Sequence, residues 1–509
     1  MRRVSLAWLL TAYLFLLVTS GFAQDIAAFE KRVTVKKLPN GLTLMIIERP
    51  VAPVFSFFTH VDTGSVQDPK GKGGLAHMFE HMAFKGTDKI GTRNWPAERA
   101  ALAEVERLYR AYDYERRKVT GSDPKKVEQL KQAWEKAVEK AEQYVVPNEF
   151  DEIIEREGGQ NLNAFTSMDE TGYFYEMPSN RLELWAYLES ERFLHPVMRQ
   201  FYKERDVVME ERRLRVDSSP LGRLVEQFVG AAFIAHPYHY EGIGFPSELE
   251  AFSASDAQRF FDHYYVPPNM VVAVAGDLKP QTALPVLEKY FGRLVTRPAP
   301  EEISLVEPPQ IAERNFVMRE ASQPIYLEGY HRPDYRDPDD AVYDVISDLL
   351  SNGRTSRLYR ALVRDKKIAV QAAGFSGFPG VKYPHLFAFY SIPVKGHNPA
   401  ELRDAIHSEI ERLKNEDVTD EELKMVKTRI RADLIRGLAN NGGMAQAFAT
   451  VQTRYGDWRE LFRQVDRVDK VNKAAIRRVA QKIFVPNNRT IGMLENVAPA
   501  AASSQQGAK

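Results

Sequence analysis

Two histidines four residues apart flank a glutamate in the run His77-Met-Phe-Glu80-His81. Gly73-Gly74 opens this stretch, whose spacing predicts a helix. On a helix, positions i and i+4 share one face, one turn apart. Two imidazoles so placed can share one metal ion, and Zn²⁺ is the usual partner of such a pair. Glu80 lies near the same face without filling the same coordination position. A carboxylate there can take a proton from a water that the metal acidifies. The competing interpretation is a pair of packed helix histidines.

A catalytic zinc takes three protein ligands and keeps one position open. The third ligand must come from another helix, and Glu204-Arg-Asp-Val-Val-Met-Glu210-Glu211-Arg-Arg is the best source. Glu204 and Glu211 are seven residues apart and share a helix face. Val207 and Val208 are expected to hold that helix on the core. By spacing alone, one glutamate can bind metal while the other orients a ligand. A solvated charged helix is the alternative.

The elements that must position these residues follow from local pattern. Val33–Val35 and Leu42–Glu48 flank Asn40-Gly41, a strong hairpin signal. Val54–Val61, Asn163–Thr166 and Thr171–Met177 read as further strands, and Arg181–Leu194 and about Phe201–Val216 as helices. From Trp95 to Tyr144 the chain is rich in Glu, Lys, Arg and Ala, with one break at Thr120–Pro124. That predicts a charged helical hairpin, expected to be a solvated protrusion.

The chain also repeats itself. Val266-Pro-Pro-Asn269 and Val485-Pro-Asn-Asn488 each join a helix end to a strand, 219 positions apart. Gly86-Thr87 and Gly353-Arg-Thr355 are 267 positions apart. The difference of 48 is about the length of the hairpin. The fold class is therefore α+β: duplicated α/β sandwich units in two homologous halves, with a helical-hairpin insertion at about 95–145 in the first. The expected division is a signal peptide at 1–23, a catalytic half at 24–291, a linker at 292–312, an inactive half at 313–497 and a disordered tail at 498–509.

Arg2 and Arg3, the apolar run from Val4 to about Val18, and Gly21-Phe22-Ala23 have the grammar of an export signal, so the mature chain is expected to begin at Gln24 in a bacterial periplasm. No later stretch reaches eighteen apolar residues, so no stable membrane span is expected after signal cleavage. The sequence holds 69 Lys and Arg against 69 Asp and Glu, which gives no basic excess for nucleic acid. It holds no cysteine, which excludes disulfides and lipid-modified cysteine.

Gly73–Thr87 with its HxxEH run resembles the pitrilysin/insulinase family of inverted-motif zinc peptidases. So do Gly158-Gly159, Asn163-Ala164-Phe165-Thr166, Thr171-x-Tyr173, Glu204 to Glu211, Tyr265–Asn269 and Gly276-Asp277, in the family's order. The similarity is to the bacterial two-unit members related to mitochondrial processing peptidase. It implies one Zn²⁺ per chain on His77, His81 and Glu211, with Glu80 as general base and Glu204 at an accessory acidic position. It implies that Asn163, Ala164 and Phe165 lie on an edge strand that pairs with substrate backbone. In the second half the metal positions fall on Asp344, Ser347 and Asp348, which cannot form the site. Arg364 matches a substrate-gripping arginine, but valine or Gln371 stands where the family's tyrosine is expected. The expected activity is hydrolysis of unfolded or short peptides. The expected assembly is a dimer, with a paralogue supplying the arginine–tyrosine grip in the heterodimeric form. The rival expectations are a non-catalytic scaffold and a peptide-binding module.

N-terminal sequencing of the exported protein is expected to read from Gln24. A membrane-bound chain still starting at Met1 would instead indicate an uncleaved anchor.

Overall fold

The computed structural model describes residues 26–497, so the expected signal peptide and tail lie outside the described residues. The first sheet contains β1 (Val33–Lys37), β2 (Thr43–Glu48), β3 (Val54–Val61), β4 (Gln160–Thr166), β5 (Thr171–Pro178) and β6 (Met270–Gly276), in the order β1-β2-β6-β3-β5-β4. The second contains β7 (Arg314–Glu320), β8 (Ile325–Arg332), β9 (Ala369–Phe378), β10 (His385–Pro393) and β11 (Arg489–Asn496), in the order β7-β11-β8-β10-β9. Without β1 the two orders are the same. Each has one parallel pair, β2 with β6 and β7 with β11, and antiparallel pairing elsewhere. The duplication is thus present in the topology.

The repeated Val-Pro-x-Asn turns show why the motif recurs. Asn269 Nδ2 donates to the Tyr264 carbonyl at 2.9 Å, and Asn488 Nδ2 to the Ile483 carbonyl at 3.0 Å. In both halves the amide closes the end of a helix and aims the chain into a buried strand.

Strand burial departs from simple alternation. All seven residues of β6 are buried, and seven of the eight in β8. Both sheet faces must therefore be covered. One face of the first sheet carries its own helices, among them α1 (Leu75–Met82), α2 (Trp95–Arg116), α3 (Pro124–Glu142), α4 (Leu182–Leu194) and α5 (Phe201–Arg212). Its opposite face is covered from the second half, where Met444, Phe448, Trp458 and Phe462 pack on Met45, Ile47, Phe58 and Ala273. The exchange is mutual. Leu224, Phe228 and Val229 of α6 (Pro220–Ala232), from the first half, pack with Ile325, Leu327, Leu386 and Leu494 of the second sheet. In the second half α7 (Asp340–Ser351) stands where α1 stands in the first.

The charged hairpin forms as α2 and α3. Asn94 and Asp123 cap them, and a proline sits in the first turn of each. It is not merely a solvated protrusion. Ala101, Val105, Tyr109, Ala137 and Ala141 recur at helical spacing and join the first core. Tyr109 packs on Tyr202 of α5 at 4.2 Å, and buried Glu98 pairs with buried Arg199. The charged composition had concealed this apolar stripe. The helix expected to run to Val216 ends its α-helical part at Arg212 and continues as one wider turn, Arg213–Asp217. Val208 is buried as expected, but Val207 is 48% exposed, so one valine holds α5 on the core.

Three buried histidines, His60, His236 and His385, stand at or near the junction of the halves. Burial depresses their pKa values to about 4, about 4 and about 3. Above the ordinary value of 6.5 both folded and unfolded forms are neutral, so these groups add no pH dependence there. Below it only the unfolded chain takes the protons, and stability falls as pH drops towards 4. The unfolding free energy from urea titration is expected to decline between pH 6.5 and 5.5, before ordinary carboxylates titrate, by about 1 kcal/mol per histidine, and the urea midpoint with it. A flat midpoint across that window would contradict the assignment.

Candidate metal centre

α1 starts where the chain demands glycine. Gly74 has φ +91°, and a Cβ there would lie 2.3 Å from the Ile243 carbonyl oxygen. The Asp68 carboxylate caps the helix, accepting from Gly74 N and Ala76 N at 2.7 Å each. Burial raises the Asp68 pKa well above the carboxylate range despite these donors. The capped helix packs beside β4, the outer strand of the first sheet.

His77, Glu80 and His81 lie on α1, and Glu204 and Glu211 on α5. One ligand atom each from His77, His81 and Glu211 lie within 4.8 Å of one another. His77 Nε2 is 3.7 Å from Glu211 Oε1, and His81 Nε2 is 3.5 Å from Glu211 Oε2. Ligands held about 2.0–2.1 Å from one tetrahedral ion stand about 3.3–3.5 Å apart. The donor types are those of a zinc site, and the two imidazole–carboxylate separations lie close to that spacing.

The electrostatics point the same way. Glu204 Oε1 is 3.0 Å from His81 Nδ1, which orients the imidazole and leaves Nε2 towards Glu211. Burial lowers the His81 pKa, but hydrogen bonds to Glu204 and Glu211 outweigh it and raise the value to about 9. The pocket between those carboxylates therefore favours a positive charge. His77 goes the other way: burial and the neighbouring His81 depress it to about 4, which keeps its lone pair free. Burial pushes Glu204 up, yet bonds from His81 and from Lys85 (2.6 Å) hold it below the usual range. The His81 bond, then burial in opposition, then His77 and Arg215 leave Glu211 lowered.

Glu80 differs from both. Burial raises its pKa, opposed by a hydrogen bond from the Thr166 hydroxyl. Its Oε2 is buried without a hydrogen-bond partner. A carboxylate with a raised pKa and a free acceptor oxygen is suited to take a proton.

Asn163, Ala164 and Phe165 lie on β4, paired with Phe174, Tyr173 and Gly172 of β5, and the other edge of β4 carries no strand among the described residues. Beside His77 lies a cavity of about 280 Å³. Its walls include Met168 and Tyr240 from the first half and Phe378 and Pro379 from the second. An apolar cavity of about 380 Å³ lies between the hairpin and α5, but the convergent polar groups that chemistry needs are at the metal cluster. Arg364 does not line the cavity beside His77. It is exposed on the turn Tyr359–Asp365 and paired with Asp365 at 2.6 Å.

Some participants were not singled out by sequence reasoning. Arg215 contacts Glu211 Oε1 at 2.8 Å and lines the cavity. Its i+4 spacing from Glu211 was the available signal. Thr166, which closes the Asn163–Thr166 segment, reaches Glu80. Nothing in the local sequence marks Asp68 as the cap of α1.

The family profile described as Insulinase (Peptidase family M16) matches residues 44–105, and that of the Peptidase M16 inactive domain matches 251–430. This chain belongs to the insulinase (M16) peptidase family. Zinc protease PqqE of Helicobacter pylori is 29% identical over 462 residues, covering 88% of this chain and 90% of that one. The probable mitochondrial-processing peptidase subunit beta of Arabidopsis thaliana is 22% identical over 486 residues, covering 92% and 79%. Among solved structures, a protease from Helicobacter pylori superposes with TM-score 0.75 at 26% identity, covering 91% of this chain and 99% of that one. The periplasmic protease PqqL of Escherichia coli superposes with TM-score 0.66 at 17% identity, covering 93% of this chain and 48% of that one. In fold, this chain matches about half of that protein. Zinc-protease relatives and a two-unit M16 fold make it a member of a zinc-peptidase family. No helix among the described residues is long and apolar enough to cross a membrane.

Proposed function

We propose that this chain is a zinc-dependent endopeptidase or oligopeptidase that hydrolyses unfolded or short peptides. The observation that carries the proposal is the convergence of His77, His81 and Glu211 beside the unpartnered carboxylate oxygen of Glu80. His77, His81 and Glu211 hold one zinc ion per chain. Zinc bound there supplies Lewis acidity, polarising the scissile carbonyl and acidifying water. Glu80 takes the proton from the attacking water and passes it to the leaving amine. Thr166 and the buried setting hold Glu80 in position, while Glu204 orients His81. An extended peptide adds to the outer edge of β4 near Asn163–Phe165 and pairs through its backbone, largely without regard to sequence. Compact domains do not offer such a strand. Export to the periplasm accords with the signal-like N-terminus and the periplasmic PqqL neighbour.

His77→Ala, His81→Ala and Glu211→Gln are each expected to strip zinc. Glu80→Gln is expected to keep zinc while lowering turnover by about 10²–10⁴. Elemental analysis beside a fluorogenic peptide assay reads both. Loss of metal from Glu80→Gln, or metal and activity kept by Glu211→Gln, would overturn the roles. A zinc-bound wild type without turnover in any assembly would favour a scaffold.

The working enzyme is proposed to be a dimer. One pair of α/β units forms one wall for a peptide on β4, and this chain matches about half of PqqL. Arg364 lies away from the cavity and no tyrosine follows it at the family's position, which favours a paralogue as partner over a second copy. Native mass spectrometry and assay are expected to show weak activity from the chain alone and full activity with the co-purifying paralogue. Full activity from a dilute monomer would contradict this, and full activity from a homodimer would remove the paralogue.

A further inference from the structure

The turn joining β4 to β5, Ser167–Glu170, stands between the metal site and the second half. On one side it is tied to the segment leading into α1. Ser65 N donates to the Ser167 carbonyl at 3.0 Å and Val66 N to the Met168 carbonyl at 2.9 Å. On the other side stands Asp169, which is 6% exposed. Its Oδ1 accepts from the Tyr238 hydroxyl at 2.5 Å. Its Oδ2 accepts from two backbone amides of the second half, Val381 N at 2.6 Å and Lys382 N at 3.0 Å. Lys382 Nζ adds an ion pair to Asp62 at 2.8 Å. The fit leaves no room for a larger residue at 380: a Cβ on Gly380 would lie 2.5 Å from the Tyr238 hydroxyl and 2.6 Å from Asp169 Oδ2.

Both ends of this contact lead to the active region. Thr166, three residues before Asp169, stands beside Glu80. Phe378 and Pro379, just before the clamped amides, form the second half's share of the wall beside His77. A buried carboxylate satisfied by three donors is rigid and costly to disrupt. Here it spans the two units beside their shared apolar packing and joins other polar contacts between them, such as Arg223 with Glu320 and Arg49 with Asn441.

We propose that Asp169 is a positioning residue through which the metal-free half controls turnover. It locks the β4–β5 turn against the Gly380–Lys382 loop, and so sets both the placement of Thr166 beside Glu80 and the wall beside His77. The inference rests on the peptidase reading above and gives the second half a role in that reaction.

The test uses the full exported chain with zinc, and its partner if one is required. In Asp169→Asn an amide presents one acceptor oxygen and one donor group to three donors, so the clamp opens without loss of volume. Hydrogen exchange at Val381 and Lys382 is expected to rise at least tenfold. Zinc content should stay near one per chain, and kcat on an unstructured peptide should fall at least tenfold. Gly380→Ala attacks the clamp from the other half, far from any metal ligand in sequence, and is expected to give the same three results. The double variant should be no worse than the worse single one, because both break one contact. Tyr238→Phe keeps the ring, removes one donor and serves if either variant fails to fold, with a smaller fall in kcat. Faster exchange with unchanged kcat would overturn the proposal. So would loss of zinc and of melting temperature in step with activity, which marks a merely structural role, or additive effects in the double variant. A zinc-bound wild type that cleaves nothing overturns the peptidase reading and this one with it. A wild type and variants that cleave equally well overturn only this one.

Discussion

Each sheet in this protein covers one face with its own helices and the other with residues from the opposite half. Phe448, Met444 and Phe462 lie on β2, β3 and β6, and Leu224, Phe228 and Val229 lie on β8, β10 and β11. At about 1.5–3 kcal/mol for each fully buried large apolar side chain, the exchange is a major stabilising term. Neither sheet could keep its buried strands dry without the other half. The fully buried pattern of β6 has this cause.

The candidate metal cluster is positioned by packing within the first half. α1 is capped by Asp68 and pressed beside β4, so His77 and His81 face the end of α5 that carries Glu211. α5 is held by Val208 below and by the hairpin, through Tyr202 on Tyr109. The hairpin braces the helix that supplies the acidic side of the cluster, which gives the insertion a structural reason in the first half. The second half has no such cluster. Asp344 bonds Gln464 there, and Asp348 pairs with Arg429. At the equivalent place in the second half, the acidic residues serve internal pairing.

The cluster sets its carboxylates apart by environment. Glu204 and Glu211 face cations and stay below the ordinary carboxylate range. Glu80, one turn from His77, is half-buried beside Thr166 and rises above it. Carboxylates held below and above the ordinary range thus sit on neighbouring helices a short distance apart.

The sequence by itself determined the local part of this protein. HxxEH spacing placed two imidazoles and a carboxylate on one helix because 3.6 residues per turn leaves no other arrangement. Val-Pro-x-Asn, read twice, disclosed the duplication, since an asparagine amide closing a helix is a local contact. The hairpin's ends were legible from Asn94, Asp123 and their following prolines. Its packing was not, because a thin apolar stripe in a charged helix shows its purpose only against α5. Val207 and Val208 looked alike in sequence, and the angle of α5 on the core decided which one is buried. Tertiary structure alone decided that Asp68 caps α1, that Arg215 reaches Glu211 and that Arg364 stands away from the cavity beside His77. It alone brought Asp169 to Val381 and Lys382, more than two hundred residues on. Such contacts depend on how two sheets exchange their covering helices, and no spacing along the chain encodes that distance.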